Sequence, residues 1–174
     1  MQRKSDERQR RSHTVQLVPN TPAPGDDSNT PRGIVRRLLG MHRTIDTRLG
    51  ILLKPDTELS PATCNTVIRS CLDDFQAIAR EEARRVFPEL QTQAVQAVGS
   101  SQRLSGRMQM AALSRRLVAL FDDMLENEDV PARANLLLAR SVLKKALLIR
   151  HRHFYQPMVA AVAATERARS VDAG

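Results

Sequence analysis

Residues 59–88 read LSPATCNTVIRSCLDDFQAIAREEARRVFP, and the periodicity of this stretch decides the fold class. Val67, Cys71, Phe75, Ile78 and Val86 recur at close to helical spacing, with Ile68, Leu72 and Ala79 widening the stripe. That is the pattern of an amphipathic helix with one buried side. Ser60 offers a side-chain oxygen for the N-cap, and Pro61 has its φ pre-set for the first helical position. Pro88 lacks a backbone N–H and is expected to stop the run. The helix so defined has about 26 residues and a length of about 39 Å at 1.5 Å per residue.

Working outward, the flanks are helical too. Thr30 and Pro31 suit a helix start, and Ile34, Val35, Leu38 and Leu39 follow at helical spacing, with Arg36 and Arg37 on the polar side. Gly40 is expected to end or weaken this helix, and a second short one covers 44–53 with Ile45, Leu49, Leu52 and Leu53 inward. The segment 54–57 is a breaker. C-terminal to Pro88, residues 89–98 suit a short helix and 99–101 a loop. Ser105 is read as the cap of a helix carrying Met110, Leu113, Leu117, Leu120 and Phe121. After an acidic stretch and Pro131, another helix is expected to about His153, ended by Pro157, with a last one over 158–168. No segment shows strand periodicity, so the class is all-α.

The chain has 174 residues with 27 Lys+Arg against 19 Asp+Glu, a formal net charge of +8. This balance favours a polyanionic partner. Lysine occurs only at Lys4, Lys54, Lys144 and Lys145; arginine, which forks onto phosphate, carries the rest. With no Trp, one Tyr and four Phe, single-strand binding by base stacking is disfavoured. No apolar run reaches the length of a membrane span, and the first residues lack the apolar stretch of a signal peptide, so an intracellular setting is expected. Residues 1–31 read as a disordered basic tail, with Arg3, Lys4, Arg8, Arg10 and Arg11 leading a Pro/Asn/Asp/Gly/Ser-rich stretch.

No enzymatic site assembles, and neither a metal site nor a cofactor is expected. There is no Gly-rich phosphate loop and no Cys/His metal spacing. His151 and His153, two residues apart, point to different sides of a helix. Asp73, Asp74, Glu81 and Glu82 lie among arginines and read as ion-pair or solvated groups. Cys64 and Cys71 are about 10 Å apart along one helix, too far for a disulfide, and read as small core residues.

The arrangement over 44–120 is short helix, loop, long helix, loop, short helix. A long striped helix in that setting calls for a partner helix, so dimerisation is expected. The alternative is that the C-terminal helices cover the stripe and give a monomeric bundle.

The stretch Pro55-Asp56-Thr57-Glu58-Leu59-Ser60 resembles the loop before the long helix of the histone 2B family. Asp73, Phe75, Ile78, Ala79, Glu81 and Arg84 continue the match without a gap, and Leu104-Ser105-Gly106-Arg107 with Ala112, Leu113 and Leu117 resembles the opening of that family's third helix. The resemblance implies a histone fold with an extra N-terminal helix and additional C-terminal helices. The domains are then a tail over 1–31, a histone-fold domain with its preceding helix over 32–121, and a helical extension over 122–170. It implies a handshake heterodimer with a 2A-type histone, joined to other core histones, that wraps double-stranded DNA through backbone contacts. Leu59 and Ser60 would lie in one DNA-facing loop, Arg103 and Ser105 in the other, and Arg107 at the start of the third helix. Arg36, Arg37 and Arg43 are placed along the DNA backbone by charge. The expected dimer interface is Val67, Cys71, Phe75 and Ile78 with Leu113 and Leu117. Neither a membrane nor a small-molecule substrate is expected as a partner, and the implied setting is the nucleus, or a virion and viral factory.

Departures from the family are the insertion around 89–98, the Arg-rich tail, the absence of a proline-glycine-glutamate start to the last helix, and the added C-terminal helices. A histone-fold subunit of a transcription or kinetochore complex is the alternative function. A monomeric helical adaptor without a nucleic-acid role is the more distant one.

Overall fold

A computed structural model describes residues 29–55, 59–94, 100–127 and 129–172. The tail expected over 1–31 therefore falls almost wholly outside the described residues, as do Asp56, Thr57 and Glu58 of the first loop. The described residues form helices without strands: α1 (Pro31–Leu52), α2 (Pro61–Glu81), α3 (Phe87–Ala94), α4 (Ser100–Glu126), α5 (Arg133–Arg150) and α6 (Gln156–Asp172). A wide π turn, Glu82–Val86, joins α2 to α3 without a break, and a second, His151–Tyr155, joins α5 to α6. The result is four rods. The second, over 61–94, is about 50 Å long at 1.5 Å per residue.

Both expected starts hold. Thr30 Oγ1 accepts from the Gly33 N–H at 3.1 Å, and Ser60 Oγ accepts from the Thr63 N–H at 3.2 Å, each followed by proline at the first helical position. The expected stops do not. Gly40 sits inside α1, so the two short helices are one. Pro88 and Pro157 are both carried through by the wide turn just upstream. There the Phe87 N–H bonds back to the Glu82 carbonyl, and the Gln156 N–H to His151, five residues rather than four. The widened turn leaves room for the proline ring, which would otherwise strike the carbonyl four residues back.

The rods close into a bundle in which α1 packs against α2 and against α5–α6, α4 against α2 and against α5, and α3 against α6. Neighbours run antiparallel. Arg37 pairs with Glu81 while Arg48, farther along α1, pairs with Asp74, earlier in α2. Asp46–Arg140 and Arg32–Glu166 give the same sense for α1 and the fourth rod. The core combines Leu38, Ile45 and Leu49 of α1, Ile68, Cys71, Phe75 and Ile78 of α2, Leu117 and Phe121 of α4, and Ala139, Leu143 and Tyr155 of the fourth rod.

This closure covers the stripe of the long helix within one chain, as in the alternative to the expected partner helix. Cys71, Phe75, Ile78 and Leu117 are buried within the one bundle, and Val67 and Leu113 are half-buried against the same core. Segment 122–170, read as an extension, begins inside α4 and supplies the fourth wall. The second loop and its helix start are also revised: α4 is helical from Ser100, so Arg103 and Ser105 stand in a helix. Both cysteines are buried and unpaired, and burial pushes the Cys71 thiol up to about 12.

Two glycines test the packing in opposite directions. A Cβ on Gly40 would meet nothing within 4 Å, whereas one on Gly106 would lie 2.9 Å from His153 Cγ. Gly40→Ala should stabilise the fold by about 0.5–1 kcal/mol, the helix-interior advantage of alanine. Gly106→Ala should destabilise it unless paired with His153→Ala; urea unfolding midpoints of the three variants check this.

Candidate nucleic-acid interface and buried ionic cluster

Arginines in a packed bundle either find acids or face water, and the two groups are separable here. Arg37 donates to Glu81, which Arg85 also approaches at 3.2 Å. Arg48 donates to Asp74. Arg140 grips Asp46 with two bonds, 2.6 and 2.9 Å, which hold that carboxyl below the usual carboxylate range. These pairs stitch α1 to α2 and to α5. At such exposure they contribute little stability individually, but they fix register.

Arg36 and Arg43 are exposed and have no acidic partner among the described residues. With Arg32 they stand at i, i+4 and i+11 of α1, within about 40° of one another on the helix. Lys144 of α5 rises beside this stripe, its Nζ 3.9 Å from Asp46.

The other residues assigned to DNA contact are placed differently. Leu59 is half-buried and Ser60 exposed at the start of α2. Arg103 lies on the first turns of α4, its side chain outside the described residues. Ser105 is exposed and accepts from Gln109 Nε2 at 3.3 Å. Arg107 is half-buried, its guanidinium 4.8 Å from the centre of the Phe87 ring. Since α2–α3 runs the length of the bundle, Leu59 and Ser60 sit at one end and Arg103, Ser105 and Arg107 at the other. The structure brings together only the α1 arginines.

A second constellation lies inside. Arg150 is wholly buried and Glu82 is 1 % exposed. Arg150 Nε donates to Glu82 Oε1 at 2.8 Å and Oε2 at 3.1 Å, and its Nη2 donates to Ser114 Oγ at 3.2 Å. Tyr155 Oη donates to Glu82 Oε1 at 2.5 Å. The Arg150 guanidinium also lies 5.1 Å from the Phe75 ring centre. On α1, His42 is 1 % exposed, and neither its ring nitrogens nor Arg150 Nη1 has a hydrogen-bond partner among the described residues. Burial first, and then the charge of Arg150, hold the His42 imidazole down at about 3. Burial, then the negative charge and hydrogen bond of Glu82, raise the Tyr155 phenol far above its ordinary value.

Glu82, Arg150 and His42 carried a signal in the sequence that the charge-based reading passed over. Each occupies a position on an apolar stripe: Glu82 after Cys71, Phe75 and Ile78; Arg150 after Ala139, Leu143 and Ala146; His42 between Leu38 and Ile45. Both wide turns adjoin the cluster. Glu82 opens the first, and Arg150 and Tyr155 bracket the second.

Among the described residues, no group of three His, Cys, Asp or Glu could hold a metal ion, and no helix is long and apolar enough to cross a membrane. In comparisons with known proteins, no family model, no curated protein and no solved structure matches the chain.

Removing Glu82 strands a buried guanidinium. Glu82→Ala should cost about 3–5 kcal/mol, whereas a Glu82→Met, Arg150→Met double variant should lose much less; chemical denaturation of both reads the difference. His42 also gives stability a pH dependence. Its folded value near 3 lies below the ordinary 6.5, so below pH 6.5 only the unfolded chain takes up this proton. Stability should then fall by about 1.4 kcal/mol per pH unit as pH drops from 6.5 toward 3, and His42→Leu should remove this contribution.

Proposed function

We propose that this chain is a DNA-packaging protein that associates with double-stranded DNA through phosphates rather than base edges. The observation that carries the reading is the outer stripe of α1, where Arg36 and Arg43 are exposed and unpaired by acids among the described residues, with Arg32 and Lys144 alongside. From Arg32 to Arg43 the stripe is about 17 Å long at 1.5 Å per residue. Over that length each strand of B-DNA presents about five charges at 3.4 Å spacing. The net charge of +8 and the scarcity of aromatics support duplex over single-stranded partners.

The resemblance to histone 2B supports packaging as the purpose, but the geometry favours its electrostatic part over its dimeric part. Handshake pairing with a 2A-type histone would require the α2 stripe to leave α1, α4 and α5, exposing Cys71, Phe75 and Ile78 for capture. A self-contained bundle that coats or bends duplex DNA needs no such rearrangement.

Binding of duplexes of differing sequence should be uniform and strongly salt-dependent. Arg36→Ala and Arg43→Ala should each weaken it and flatten the slope of log K against log salt by about one unit, while Arg37→Ala, already committed to Glu81, should change the slope less. Absence of duplex binding at low salt would refute the reading. Titration with a 2A-type histone separates the two forms of it: a thermal midpoint that rises with partner concentration indicates handshake pairing, an unchanged one the self-contained bundle.

A further inference from the structure

The stripe on α1 accounts for only part of the unpaired positive charge. Arg80, Arg84 and Arg115 are also exposed and have no acidic partner among the described residues. Arg115 stands beside Ala79 in the cleft between α2 and α4. Glu81 turns the other way, toward Arg37 of α1. Arg80 lies between Ala79 and Glu81 in the sequence, so at 3.6 residues per turn it faces away from both neighbouring rods, at the level of Arg115. Arg84 follows one turn on. The three form a second cationic cluster. The acids nearby are either engaged or set apart. Glu81 is held by Arg37 and Arg85, Glu82 by Arg150, and Glu89 of α3 is half-buried and not free. Asp73 and Asp122 are exposed, but each lies seven residues from the cluster, about 10 Å along its helix, where the exposed Arg69 offsets them. Glu126 is farther still.

The packing sets where this cluster points. α1 and α4 each pack against α2 and against α5, so they lie across the bundle from one another. The side that carries Arg36 and Arg43 is therefore opposite the side that carries Arg115. The width between them is at least about 20 Å, one interaxial distance of about 8–10 Å plus one helix diameter of about 10–12 Å. The Debye length at physiological salt is about 8 Å. Two duplexes on these two sides would each meet arginine while being screened from one another. A single duplex reaching both would have to turn back around a body about 20 Å wide, far tighter than a persistence length of about 50 nm favours.

We propose that the bundle bridges two duplex segments, one along the α1 stripe and one across Arg80, Arg84 and Arg115. The inference rests on the duplex-binding reading and adds to it the means of packaging, which is to tie neighbouring segments together rather than to wind one around the protein. Each arginine can fork onto a phosphate without a base contact, so both sides take duplex of any sequence.

The test adds the full chain to a duplex tethered on beads and reads capture of a second, fluorescent duplex at low salt. The wild type is expected to capture it. An Arg80→Ala, Arg84→Ala, Arg115→Ala variant should still bind the tethered duplex but capture the second at least about tenfold less, having lost three phosphate contacts on one side. An Arg36→Ala, Arg43→Ala variant should lose capture as well, since bridging needs both sides. An Arg116→Ala, Lys145→Ala, Arg152→Ala variant removes the same charge from α4 and the fourth rod, outside both clusters, and should lose less than about threefold through the weaker overall field. All these positions are exposed, so the core is untouched. A wild type that leaves the tethered duplex unbound takes down the duplex-binding reading and this inference with it. Binding without capture, capture that survives the Arg80, Arg84 and Arg115 substitutions, or an equal loss in the Arg116, Lys145 and Arg152 variant overturns bridging alone.

Discussion

The Glu82–Arg150 pair is the constraint around which the bundle is organised. A guanidinium and a carboxylate taken wholly out of water are costly unless they meet in good geometry and their remaining hydrogen-bonding capacity is used. Here Arg150 Nε lies within 3.1 Å of both carboxylate oxygens, Tyr155 donates to one of them, and Ser114 takes a second guanidinium nitrogen, leaving only Nη1 of the guanidinium without a partner among the described residues. These residues come from the second, third and fourth rods. A helix that slid or rotated by one residue would break the set and leave a charge unpaired in the core, so the cluster selects one register. The apolar stripes alone, being broad and alike, do not select it as sharply.

The two wide turns are the backbone counterpart of that selection. Pro88 and Pro157 each follow such a turn, and in both rods the helix passes through the proline instead of ending there. An extra residue in the turn rotates everything beyond it relative to a regular helix, which re-aims side chains near the turn. Phe87 and Phe154, just beyond Glu82 and within the second turn, meet edge to face at 5.4 Å. The same proline that a sequence reading takes as a stop is therefore part of how the fourth rod reaches the core next to the second.

The outer surface follows a different logic. Arg37, Arg48, Arg85 and Arg140 are drawn to acids on neighbouring rods, and they record which helices are adjacent. Arg36 and Arg43 are left facing water on one stripe of α1, and Arg69, Arg80 and Arg84 on the second rod, Arg115 and Arg116 on α4 and Arg152 on the fourth rod are exposed as well, so charge available to a polyanion lies on every rod. Charge counts alone treat all of these arginines as equivalent; pairing across rods separates those that hold the fold from those free to meet a phosphate.

What the sequence determined by itself is local. The helical class follows from apolar spacing, and the starts of α1 and α2 from Thr30-Pro31 and Ser60-Pro61, because a cap and a first turn are made by residues three apart. The core positions of Cys71, Phe75 and Ile78 follow from the stripe they share. What only the tertiary structure decided is what covers that stripe, whether a proline ends its helix, and which charges are inside. Those depend on residues far apart in the chain: Glu82 is tolerable in the core only because Arg150 and Tyr155 arrive there from the fourth rod. The α2 stripe is covered within one chain only because α1, α4 and α5 close around it. Periodicity specifies that a surface must be hidden, whereas the identity of what hides it is set by long-range packing, which no local spacing encodes.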